Sequence, residues 1–170
     1  MAKHKVFISY HHDDEEQVNK FIDYFSYNKE IFIPKIVGER YDTNINSDDS
    51  DYIMRTIREN YLTDSTVTIV LIGKETAKRK YVDWEIASTI RNDANNKRSG
   101  LLGIYLPEKS NCEIPPRLQD NIECGYANLY KYPTSNPDVL KRWIDEAYEK
   151  RNDYYQTVDN SRPLFKNNRS

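Results

Sequence analysis

Residues 66–91 read TVTIVLIGKETAKRKYVDWEIASTIR, and the reading of this stretch decides the fold. Its first part, Val67–Ile72, is a nearly unbroken β-branched and aliphatic run, which suits a central strand covered on both faces. Gly73 ends the run with a turn. After a basic and polar loop, Val82, Ile86 and Ile90 recur at i, i+4 and i+8, the apolar stripe of a helix laid on a sheet. Tyr81 and Glu85, also four apart, fall together on an adjacent flank. In an open parallel sheet, ligands bind in the crevice outside the carboxyl ends of the strands, and a carboxylate near the start of the next helix can point into it. Glu85 is the first candidate for chemistry, set against the dipole preference that favours any acid in a first helical turn.

Toward the N-terminus, the run KVFISY at residues 5–10 reads as a strand inside a parallel sheet. The acids Asp13, Asp14, Glu15 and Glu16 then suit the first turn of a helix that continues with Val18, Phe21, Ile22 and Phe25 on one face. A second strand is expected within residues 31–37 (IFIPKIV), where Pro34 removes a backbone donor and makes it an edge or broken strand. Residues 38–50 (GERYDTNINSDDS) form a polar connection too long to be a simple turn. Asp42, Asn44 and Asn46 imitate a calcium loop, but Ser47 and Ile53 stand where that loop needs glycine and glutamate. A helix follows from about Asp51, with Ile53, Ile57 and Leu62 inward and Ser47 or Ser50 as its cap.

Toward the C-terminus, residues 101–106 (LLGIYL) read as another buried strand. Residues 107–126 hold three prolines and both cysteines, an irregular excursion with one helical turn near residues 117–121. A short strand at residues 127–130 and a helix at residues 137–150 complete the alternation, and residues 152–170 are a polar tail that frays or lies on the surface. Strands alternating with helices through right-handed crossovers give an α/β, doubly wound, flavodoxin-like sheet of five parallel strands in the order 2-1-3-4-5. Residues 1–151 form the expected domain and residues 152–170 its tail.

Composition excludes several classes. With 25 basic and 27 acidic residues the formal charge is −2, so no broad basic field recruits nucleic acid or an anionic membrane. No apolar run reaches the roughly 18 residues that span a bilayer, and the N-terminus lacks a signal peptide's apolar region, so a cytoplasmic chain is expected. Cys112 and Cys124 read as reduced structural thiols, and His11 and His12 as polar loop residues whose adjacent side chains diverge too far for zinc. Tyrosine is abundant, 14 against 5 Phe and 2 Trp, which fits half-buried packing or contact surfaces.

Taken together, KVFISYHHDD, STVTIVLIGKET and YVDWEI resemble a TIR domain, in particular the TIR-like proteins of bacterial Thoeris antiphage systems. The resemblance covers about the first 110 residues and is weak past Pro107. It implies a TIR fold and an NAD-consuming enzyme, with Glu85 contacting the nicotinamide-bearing ribose and Tyr81 stacking on the substrate. Tyr81 departs from the tryptophan common at that position. Ser9, Tyr10 and His11 are implied on the other side of the pocket, and residues 38–50 as a loop for self-association that covers the site. NAD is then substrate rather than cofactor, no metal is implied, and the product, ADP-ribose cyclised or conjugated, signals to a partner effector. Two other classes compete: a TIR module used only for assembly, and a receiver-like domain. The latter needs an aspartate at the end of the third strand, where Ile72, Gly73 and Lys74 stand.

Overall fold

The computed structural model describes residues 3–36, 48–92, 97–133, 136–154 and 157–169. Five parallel strands run β1 (Lys5–Ser9), β2 (Ile33–Lys35), β3 (Val67–Ile72), β4 (Gly100–Tyr105) and β5 (Asn128–Tyr130), hydrogen-bonded in the order β2-β1-β3-β4-β5. Between them lie α1 (Glu15–Ile22), α2 (Ser50–Asn60), α3 (Lys80–Ile90) and α4 (Pro116–Glu123), and α5 (Pro137–Asp153) follows β5. The expected doubly wound sheet and its strand order are both present. Pro34 sits in the edge strand β2, where its missing N–H can face away from the ladder.

Strand alternation sorts the side chains between two helix layers. Val6 and Ile8 of β1 and Val67, Ile69 and Leu71 of β3 face α1 and α5, meeting Val18, Phe21, Leu140 and Ile144. Phe7 packs on the opposite face with Ile53, Ile57 and Trp84, and Val70 and Ile72 meet Val82, Ile86 and Ile90. All six β3 residues are buried, as a strand covered on both faces must be. Gly100 faces α5 at such close range that an added Cβ would lie 2.3 Å from the Ala147 carbonyl oxygen.

The structure corrects several local expectations. The cap of α2 is Asp49, whose side chain accepts from the Asp51 and Tyr52 amides; Ser50 is the first helical residue. Helix α1 continues through a wider π-helical turn at Asp23–Asn28. The expected single turn near residue 117 is two turns of α4, begun by Pro116 at a position where no backbone donor is needed. Helix α3 is buried on every side from Val82 through Ile90 rather than along one stripe. The covering on its far side is the C-terminal tail, which takes the second of its two expected courses and lies on the surface of the fold with buried anchors such as Phe165. Residues 37–47, with the calcium-loop imitation and most of the proposed assembly loop, lie outside the described residues.

Candidate functional site

Alternation along β1 turns Ser9 to the same side as Phe7, toward α3. Ser9, fully buried at the carboxyl end of the strand, donates a 2.5 Å hydrogen bond to Glu85 Oε1. Glu85 is 5% exposed, so a hydroxyl on the sheet holds a carboxylate on the helix in a largely water-excluded place. The next turn is pinned too: Thr89 Oγ1 lies 2.7 Å from the Glu85 carbonyl, to which it donates, and 2.8 Å from Thr68 Oγ1 of β3.

His11 follows two residues after Ser9 and is also 5% exposed. Burial holds its pKa below the ordinary 6.5, and the charges of Arg79 and His12 push the same way against the raising effect of Asp13. At neutral pH it is an uncharged imidazole lying 3.2 Å from Asp13 Oδ2. His12 lies 3.2 Å from the other Asp13 oxygen, and the two imidazole rings are 4.2 Å apart. The adjacent histidines thus converge on one carboxylate instead of diverging, and the three donor groups lie close enough together to hold a divalent cation. The same arrangement satisfies Asp13 by hydrogen bonds alone.

The other two expected site residues are placed differently. Tyr10 packs against the α1 and α5 core, on the sheet face away from Glu85. Tyr81 meets Trp84 edge-on at 5.0 Å and packs against the cluster of Phe7, Ile53, Ile57, Leu62 and Trp84, with the Lys80 ammonium 5.2 Å from its ring centre. Ser9 and Glu85 are therefore joined directly, His11 stands beside them on the chain, and Tyr81 lies one turn back along α3.

Sequence reading missed Asp14 and its relation to Gly73. A Cβ at Gly73 would fall 2.1 Å from Asp14 Oδ2, so any larger residue at the end of β3 would have to push this carboxyl aside. Asp14 Oδ2 is buried with no hydrogen-bond partner among the described residues. Burial raises its pKa above the ordinary 3.8, a rise that His11 and Lys109 oppose. The β1–α1 segment and the end of β3 thus meet, through Asp14 and Gly73, at the carboxyl ends of two adjoining strands, where an open parallel sheet takes its ligand. A glycine directly after a buried strand was the one available signal. Cavities bounded by described residues also lie elsewhere: along α5, beside Arg151, and around His4.

Residues 7–111 match the family model described as Thoeris protein ThsB, TIR-like domain. No curated protein matches the chain closely enough to count as a relative. Among solved structures, the ribose 5-phosphate isomerase RpiB of Thermotoga maritima matches at 13% identity, covering 93% of this chain and 99% of its own, with a TM-score of 0.33. A likeness that loose supports no functional argument.

Proposed function

This chain belongs to the TIR-like ThsB family of Thoeris antiphage defence, and on that premise we propose that it cleaves the bond between nicotinamide and ribose in NAD. The observation that carries the proposal is the Ser9–Glu85 hydrogen bond, which holds a buried carboxylate at the carboxyl end of the sheet. Nicotinamide departs with the bonding electron pair as a neutral molecule, and positive charge develops on the ribose ring. A fixed carboxylate in a low-dielectric setting stabilises that charge far more than water does. The Ser9 hydroxyl orients the Glu85 carboxylate at the carboxyl end of the sheet, where the ribose would bind. A hydroxyl or other nucleophile then attacks the ribose carbon and releases its proton, giving a cyclic or conjugated ADP-ribose product.

In this reading the product is a diffusible signal for a partner effector, and the chain associates with copies of itself. Tyr81 and His11 border the substrate, and Tyr10 has no direct part. The near-complete burial of Ser9 and Glu85 favours a second reading, a packing role within a non-catalytic assembly module. Incubating the protein with NAD, alone and with lysate from infected cells, separates the two by mass spectrometry of all products. Nicotinamide release with a new ADP-ribose species is expected, and intact NAD under both conditions would leave the assembly module.

A further inference from the structure

Helix α3 begins without a cap from its own chain neighbourhood, because Arg79 supplies no side-chain acceptor. The acceptor comes from 88 residues away: Asn168 Oδ1 takes the Lys80 amide at 2.9 Å, and beside it the Arg169 amide donates to the Lys78 carbonyl at 2.8 Å. Further along the helix, the Phe165 amide donates to Asp83 Oδ2 at 2.9 Å and Trp84 Nε1 donates to the Phe165 carbonyl at 2.8 Å. Asn160 Nδ2 reaches the Ala87 carbonyl at 3.1 Å. The C-terminal segment therefore holds α3 from its first residue to its eighth.

Arg117 of α4 ties this segment down. It is 1% exposed, pairs with Asp83 at 3.0 Å, and donates to Asn160 Oδ1 and the Pro163 carbonyl. Arg162 adds a bidentate pair with Asp120, and Asn121 both donates to the Asp159 carbonyl and accepts from its amide. Helical residues turn by about 100° each, so Asp83, Trp84 and Ala87 meet the strap while Glu85 and Thr89 turn to Ser9 and Thr68 on the sheet. The helix is gripped on one side by the strap and presents Glu85 on the other. Every strap residue, and Arg117 itself, lies beyond residues 7–111 that match the family.

We infer that residues 157–169, linked through Arg117, are a positioning strap that sets the height and rotation of α3 and hence the Ser9–Glu85 pairing. Without it the Lys80 amide, the Trp84 indole N–H and two of the Arg117 contacts lose their partners, and the first turns of α3 admit water. The catalytic consequence rests on the NAD-cleaving reading, whereas the effect on the helix does not.

Asn168→Ala removes the cap acceptor, and Asn168→Asp restores one, since aspartate caps as well as asparagine does. A lost cap changes the ratio of ordered to frayed first turn by about fivefold. Asn168→Ala should lower kcat for NAD by up to about that factor with KM nearly unchanged, and Asn168→Asp should recover it. Amide exchange at residues 80–85 should quicken in the alanine variant and return to normal in the aspartate variant. A chain ended after Val158, if it folds, should lose more activity than Asn168→Ala; if it does not fold, the Asn168 pair decides. A folded Asn168→Ala protein with wild-type kcat and unchanged exchange would overturn the strap, as would a shortened chain that works faster. Should the wild type leave NAD intact, the exchange measurement alone decides: faster exchange in Asn168→Ala supports the strap, and identical exchange refutes it.

Discussion

Replacing Arg117 by methionine keeps the volume of a side chain that is 1% exposed while deleting its charge and all its donors. The carboxylate it leaves behind, Asp83, is 3% exposed and keeps a hydrogen bond only from the Phe165 amide among those described. Stranding one partner of a buried ion pair costs about 3–5 kcal/mol, because the remaining charge is uncompensated. For a chain of this length each kcal/mol lowers Tm by about 2–4 °C, so the expected fall is about 6–20 °C. Thermal and urea melts followed by circular dichroism read it directly. The double variant Asp83→Leu with Arg117→Met should be more stable than Arg117→Met alone, since it strands no charge and gives up chiefly the anchor of the Phe165 amide. An Arg117→Met protein melting within about 2 °C of wild type would show that water already solvates this pair, and the reasoning would fail.

Gly100→Ala should destabilise by about 1–3 kcal/mol or more, because the new Cβ meets the backbone of α5 rather than a side chain that can swing aside. Denaturant midpoints of the two proteins check it. His11 should make stability fall as pH drops below 6.5: its folded pKa is depressed, so the unfolded chain takes up the proton first. The slope of stability against pH below 6.5 should be shallower in His11→Gln. If residues 38–50 mediate self-association, Asp48→Lys should lower activity and weaken its steeper-than-linear rise with protein concentration while leaving Tm unchanged. Asp49→Lys should also cost about 1 kcal/mol of stability, because Asp49 caps α2. Light scattering and activity over a concentration series read the first effect, and melting reads the second.

Much of the fold was legible because its decisive elements are local and repetitive. The run Val67–Ile72 can be buried only between two layers, and Val82, Ile86 and Ile90 supply one of them. The family resemblance implied Ser9 and Glu85 on two sides of one pocket, whereas the direct hydrogen bond between them, across 76 positions, is seen only in the structure. Period-2 alternation explains afterwards why Ser9 and not Tyr10 turns to α3. What was missed has no period. Asn160, Phe165 and Asn168 dock on α3 through hydrogen bonds to groups 73 to 88 residues away, and nothing in the polar tail containing them marks which residues would dock or where. For the same reason the stripe Val82, Ile86 and Ile90 gives no sign that Asp83 and Trp84 are buried as well, by the strap and Arg117. The cap of α2 is neither Ser47 nor Ser50, the two expected, but Asp49; Asp49 and its neighbour Ser50 are both good cap residues, and only backbone geometry separates them.

The most direct test of the NAD-cleaving site is Glu85→Gln. The substitution keeps the volume of Glu85 and an acceptor for Ser9 but removes the charge that is to face the developing cation. Purified wild type and variant would be compared for NAD loss by mass spectrometry, with circular dichroism to confirm that both are folded. The predicted result is a folded Glu85→Gln protein that leaves NAD intact while the wild type consumes it. A folded variant that consumes NAD at the wild-type rate would contradict the assignment of Glu85 and return it to a packing role.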